Sequence, residues 1–117
     1  MIWGIGVDLL ETERMQAALE RPGFQERYYT AAELALGSRR KLANNFAVKE
    51  AVAKAFGFGF RRFSPADIEV LRDAMGKPYV RLYGRAKQTA RCLMIKRIHV
   101  SLSDTSRHIM AAAILEK

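Results

Sequence analysis

Two carboxylates and a lysine in this chain have the types and spacing for chemistry on phosphate. Asp8 ends a short apolar run laced with glycine, Gly4-Ile5-Gly6-Val7-Asp8, while Glu50 and Lys54 stand one helical turn apart within Asn45-Phe-Ala-Val-Lys-Glu-Ala-Val-Ala-Lys-Ala-Phe-Gly57. Asp8 and Glu50 together would make a sparse pair of hard oxygen ligands. Mg²⁺ commonly takes only one or two protein carboxylates and fills its shell with water and substrate phosphates. Nearby lysines and arginines would neutralise the charge that develops as a phosphoryl bond breaks. Each half also has an ordinary explanation. A Glu–Lys pair at i, i+4 is a common solvated helix pair. Glycines in a strand also mark a close strand–helix crossing, and Asp8 then caps the helix that follows. His99, Ser101 and Ser103 alternate along a later segment. They are suited to hydrogen-bonding phosphate or amide groups, or they form the polar face of a hairpin. No G-x-S-x-G turn is present to support a Ser–His nucleophile.

These residues need elements to hold them. Period-two alternation predicts a strand over Ile2 to Leu10, with Gly4, Gly6 and Asp8 on one face and Trp3, Ile5, Val7 and Leu9 on the other. Glu11 to Leu19 reads as a helix, broken by Arg21-Pro22-Gly23. Phe24 to Tyr29 is ambiguous. Thr30 with Glu33 three residues on is a capping box, starting a helix through Leu36. A long helix follows from about Arg40 to Phe56 and stops at Gly57. Val48, Val52, Ala55 and Phe56 form its core face, with Phe46, Glu50, Lys54 and Gly57 opposite. Residues 58 to 65 read as a loop. Strands are expected at Ile68 to Arg72 and Tyr79 to Leu82, around a Gly76-Lys77-Pro78 turn. A helix is expected at Gly84 to Met94, and strands at Ile98 to Ser103 and Ile109 to Leu115. Strands in hairpins with helices between them argue for an α+β fold, mostly antiparallel sheet packed with one long helix. At 117 residues, the whole chain, 1–117, is expected to be one domain.

The formal net charge is +8, from 20 Lys+Arg against 12 Asp+Glu, and it is unevenly spread. No acid falls between Asp73 and Asp104, or between Glu33 and Glu50. Such a field attracts an anionic partner. The run from Lys77 to Arg97 lacks the interleaved aromatics of a single-strand nucleic-acid platform, although a basic nucleic-acid-binding module is the rival reading from another class. Gly4-Ile5-Gly6 lacks the third glycine of a dinucleotide fingerprint. Cys92 stands alone, so no internal disulfide is possible, and no apolar run is long enough to span a membrane. A cytoplasmic protein is the default expectation.

Four stretches occur together in order: GIGVDLLETERM, FAVKEAVAKAFG, DIEVLRDAMGKP and HVSLSD. In them the chain resembles the holo-acyl-carrier-protein synthases, the small bacterial class of phosphopantetheinyl transferases, over nearly its whole length. The resemblance implies transfer of phosphopantetheine from coenzyme A to a serine of apo acyl carrier protein, with release of 3′,5′-ADP. It implies Mg²⁺ and a homotrimer with active sites between subunits. It makes Asp8 and Glu50 the metal ligands, with Glu50 also activating the serine, directly or through a metal-bound water. Lys54 becomes the phosphate-binding lysine and Lys49 a supporting one. Phe46, Gly57, Lys77, Pro78, His99, Ser101 and Ser103 are assigned to the coenzyme A cleft, and Arg14, Phe24 and Arg27 to carrier-protein docking. On this reading the glycines before Asp8 let a metal-bound pyrophosphate approach the backbone. Two departures stand out: Asn44-Asn45 replace the family's Gly-Arg, and Asp104 replaces a histidine after Ser-x-Ser. They keep open a relative that binds coenzyme A without turnover. Asp104→His is expected to leave activity intact or raise it.

Overall fold

The computed structural model describes residues 1–117. Strand β1 (Ile2–Glu11) leads into helices α1 (Thr12–Leu19), α2 (Phe24–Tyr28) and α3 (Ala31–Leu34), then the long helix α4 (Arg39–Phe56). Two 3₁₀ turns (Gly59–Arg61 and Pro65–Asp67) precede β2 (Ile68–Arg72) and β3 (Pro78–Leu82); α5 (Gly84–Cys92), β4 (Arg97–Asp104) and β5 (His108–Glu116) complete the chain. All strand pairings are antiparallel, in a three-stranded sheet ordered β1-β5-β4 and a separate β2-β3 hairpin. The α+β class expected from the sequence is the one observed.

Local chemistry explains the boundaries. The Thr30–Glu33 capping box forms in both directions, but α3 ends at Leu34, earlier than expected, and Gly37 turns the chain at φ 72°. Ser38 caps α4 through its hydroxyl, which accepts from the Lys41 amide, and Gly57 closes it in the left-handed region at φ 99°. Residues 58 to 65 hold 3₁₀ turns in place of an open loop, the second started by Ser64 and Pro65. The ambiguous Phe24–Tyr29 segment is the short helix α2.

The core lies between α4 and the three-stranded sheet. Val48, Val52 and Phe56 meet Ile109, Ala111, Ala113 and Leu115 in one buried cluster. Helix α4 is buried on more than the single face expected, since Asn45 and Lys49 are also fully enclosed. The sheet's opposite face is open. Ile5, Val7 and Leu9 are 67%, 52% and 66% exposed, so the apolar side of β1 points outward and the glycine side points to the core.

Candidate active site

The glycines of β1 are explained by packing. A Cβ at Gly4 would lie 2.2 Å from the Ala55 carbonyl oxygen, and one at Gly6 1.9 Å from that of Ala51. Only glycine lets the strand cross the helix backbone at this distance. The expectation that they clear room for a ligand is therefore corrected: the helix itself occupies that room.

This crossing sets Asp8 beside the polar stripe of α4. Lys54 Nζ donates to Asp8 Oδ1 at 3.0 Å and to the Val7 carbonyl at 3.2 Å. Asp8 is 7% exposed, and its Oδ2 is buried without a hydrogen-bond partner. It does not cap α1, whose N-cap is Glu11. Glu50 is half-buried on the same stripe. Burial first, and the nearby Asp8 carboxylate second, push its carboxyl above the usual glutamate range, against the pull of Lys54. The three groups predicted to act together are thus in electrostatic contact.

Beside Glu50 opens a cleft of about 870 Å³. Phe24, Arg27, Tyr28 and Phe46 line one part; Arg61, Arg62, Ser64 and Arg85 line another. The Phe24 and Phe46 rings pack 5.8 Å apart. Arg14 lies in a separate groove with Arg21 and His108. Arg21 also lines a small hollow with Phe24 and Arg27, so the three docking residues expected from the sequence lie along one surface that ends at Glu50.

Arg61, Arg62 and Arg85 were missed as site residues. Their signal was the run of arginines around Gly57, Gly59 and Gly84 within acid-free sequence, which read only as a loop and a basic helix.

Other expected site residues lie elsewhere. Lys49 does not reach the cleft. Its ammonium is fully buried and donates to Glu33 Oε1 at 2.7 Å, to the Pro65 carbonyl at 2.8 Å and to the Ile68 carbonyl. With all three protons used, it has none for a phosphate, and the supporting role is corrected. Lys77 and Pro78 sit at the β2–β3 turn, where Asp73 Oδ1 accepts from the Met75 and Lys77 amides, and neither lines the Glu50 cleft. His99, Ser101 and Ser103 lie on β4, opposite Ile114, Ala112 and Met110. They share the outward face with Ile5, Val7 and Leu9, so one chain does not bring them to Asp8. His99 Nε2 bonds Glu116 Oε1 at 2.8 Å.

Both departures from the motif have partners. Asn45 is fully buried and donates to Glu33 Oε2 at 3.0 Å and the Val70 carbonyl at 2.9 Å. Asn44 donates to Asp104 Oδ2 at 3.2 Å, and Arg40 holds the same oxygen at 3.0 Å. The two departures thus touch each other. Hydrogen bonds from Arg40 and Asn44 hold the Asp104 carboxyl below the usual aspartate range. Its charge is therefore turned toward the start of α4.

Two carboxylates fit a divalent cation well. A cation would give Asp8 Oδ2 the partner it lacks and would relieve the repulsion at Glu50. No cluster of three or more His, Cys, Asp or Glu side chains surrounds the pair, which suits an ion completed by water and phosphate oxygens.

Comparison with known proteins identifies the family. Residues 4–113 match the model of the 4′-phosphopantetheinyl transferase superfamily. The holo-(acyl-carrier-protein) synthase of Lachnoclostridium phytofermentans is 51% identical over 118 residues, covering 99% of this chain and 97% of that one. The crystal structure of the Neisseria meningitidis holo-(acyl-carrier-protein) synthase superposes with a TM-score of 0.90 at 32% identity, covering 100% of both chains. That of the Bacillus anthracis protein, in complex with CoA (3′,5′-ADP), superposes with a TM-score of 0.80 at 32% identity, covering 98% of this chain and 96% of that one.

Proposed function

The chain belongs to the 4′-phosphopantetheinyl transferase superfamily, and from that premise we propose that it moves 4′-phosphopantetheine from coenzyme A to a serine of apo acyl carrier protein. The observation that carries the reading is Glu50, with its raised carboxyl, beside the Asp8–Lys54 pair at the head of an arginine-lined cleft.

In this reading the serine oxygen attacks the β-phosphorus of coenzyme A. Its proton passes to a Glu50 carboxylate oxygen, the bond to the adenosine half breaks, and 3′,5′-ADP leaves. A carboxyl raised toward the working pH is a better proton acceptor than an ordinary one. Lys54, half-exposed at 50%, turns its ammonium to the charge gathering on the pyrophosphate oxygens. Arg61, Arg62 and Arg85 offer guanidinium groups to the phosphates of coenzyme A. Arg14, Phe24 and Arg27 offer a basic and aromatic path to an acidic carrier protein. Asp8 and Glu50 would hold Mg²⁺, which when bound supplies positive charge against the pyrophosphate.

The proposal extends to a homotrimer. The outward sheet face carries rows Ile5–Ile114–His99, Val7–Ala112–Ser101 and Leu9–Met110–Ser103. Self-association over the β1 side would cover exposed apolar surface and would carry His99, Ser101 and Ser103 to a subunit boundary. Gly57, Lys77 and Pro78 remain proposed coenzyme A contacts on motif grounds alone. Fatty acid or polyketide synthesis and a cytoplasmic setting belong to the same proposal. Their support is the motif resemblance, together with the lack of any helix long and apolar enough to cross a membrane.

The test is the intact mass of an apo acyl carrier protein after incubation with this protein, coenzyme A and Mg²⁺, with an EDTA control. A gain of one phosphopantetheine, lost with EDTA, is expected. No gain across several carrier proteins would overturn transfer, and retained coenzyme A binding would then mark a binder without turnover.

A further inference from the structure

The largest buried polar cluster lies just outside the cleft. Glu33, Asn45 and Lys49 are fully buried, and Glu69 is 5% exposed. Glu33 Oε1 accepts from the Thr30 amide at 3.1 Å and from Lys49 at 2.7 Å. Glu33 Oε2 accepts from Asn45 at 3.0 Å and from the Val70 amide at 3.3 Å. One carboxylate therefore joins the start of α3, two turns of α4 and strand β2. Stability alone is a weak reason for such a pair, because enclosing two charges costs desolvation that a well-packed apolar pair avoids. What distinguishes this pair is where the lysine's other protons go. They bond the Pro65 and Ile68 carbonyls, which bracket the 3₁₀ turn at Pro65–Asp67. Ser64, Pro65 and Asp67 line the cleft, and Arg61 and Arg62 come just before them. Lys49 is also the residue next to Glu50 on α4.

We propose that Lys49, held by Glu33, is a positioning residue that sets the arginine-bearing wall of the cleft at a fixed distance from Glu50. Chain without regular sheet partners carries Arg61 and Arg62, and without an internal tie its carbonyls would turn to water. The ammonium supplies the tie from inside the same helix that carries the proton acceptor. A slip of this wall would misplace guanidinium groups against the phosphates while leaving Glu50 and Lys54 untouched. Misplacement of about 1 Å is known to cost as much as about 10²-fold in rate.

The role rests on the transfer reading above, and the experiment separates the two. Lys49→Met alone strands the Glu33 carboxylate, so its melting temperature should fall by about 10 °C or more at fixed protein concentration. The informative variant is Glu33→Gln with Lys49→Met, which removes both charges and should recover most of that loss. It is expected to show KM for coenzyme A raised about tenfold, with KM for the carrier protein within about twofold and a smaller change in kcat. In the unaltered protein, hydrogen exchange should protect the amides of Ser64, Ala66, Asp67 and Ile68 nearly as well as those of α4 and far better than the turn at 73–77. A double variant with both KM values and kcat unchanged overturns the role, and so does fast exchange at 64–68 in the unaltered protein. If the double variant fails to fold, the exchange result alone decides. If the unaltered protein transfers nothing, the transfer reading fails, while the exchange result still reports whether the tie exists.

Discussion

Lys49 and Lys54 leave the same helix to meet a carboxylate at bonding distance, 2.7 Å from Glu33 and 3.0 Å from Asp8. The first pair is wholly enclosed and every proton and lone-pair direction is used. Burial pulls the Lys49 ammonium below the usual lysine range, and Glu33 opposes that shift. The second pair is unfinished. Lys54 is half-exposed, Asp8 Oδ2 has no partner, and the Glu50 carboxyl is raised by burial first and by the Asp8 charge second. A saturated pair can only hold structure together. A pair with spare capacity is where a cation and a phosphate have something to gain. Reading the two by residue type makes them equivalent, while reading their unmet hydrogen bonds separates them.

Substitutions can break that contrast. The largest effect expected is at Glu50. Glu50→Gln removes the proposed proton acceptor and metal ligand, so transfer should fall by about 10³-fold or more in a single-turnover assay, with the circular dichroism melt within a few degrees of the unaltered protein. Retained activity would remove Glu50 from the mechanism. Lys54→Ala comes next. A loss of about 10²-fold in kcat/KM is expected. The stability loss by urea titration should be smaller than that of Lys49→Met, since the Lys54 ammonium is half-exposed and only its Asp8 partner is buried. Were Lys54→Ala to unfold the chain as Lys49→Met is expected to, the two pairs would not differ in kind.

The pH profile sharpens the comparison further. Without a cation bound, the raised Glu50 carboxyl should be ionised at higher pH and take up a proton as pH falls through a value above the ordinary glutamate range, a titration read by carbon-13 NMR of the metal-free protein. Asp8→Asn removes the Coulombic share of that shift. The Glu50 titration in the metal-free protein should move to lower pH. An unmoved titration would remove Asp8 from the causes of the shift. The smallest effect belongs to Asp104→His. The carboxylate serves Arg40 and Asn44 at the surface, so activity should change by no more than about threefold and stability by less than about 1 kcal/mol. The gain in activity allowed for by the sequence reading is not expected, because the imidazole would give up both partners. A large loss would show that this clasp positions β4 for catalysis.

Much of the fold was legible because its signals are local. The capping box at Thr30, the stop at Gly57 and the turn at Gly76 each name their own geometry, and all three formed. The alliance of Asp8, Glu50 and Lys54 was also legible, although only as a set of residue types with the right motif around them. What the sequence left open was facing. The apolar alternation of β1 pointed to water, because helix backbone occupied the glycine side. The family resemblance alone gives Lys49 a supporting phosphate role, whereas Glu33, Pro65 and Ile68 close over it.

The sequence by itself determined the start and stop of the long helix and the place of the strands, the excess of positive charge, and which side-chain types suit phosphate chemistry. Those are properties of dihedral preference, periodicity and ionisation, and they reside in a few neighbouring residues. Only the tertiary structure decided that β5 lies between β1 and β4, that Lys54 and not Lys49 meets Asp8, and that arginines from a glycine-rich turn line the cleft. Each of those depends on contacts between residues distant in the chain, where the cost of burying a charge or crossing two backbones is set by partners that local sequence does not name.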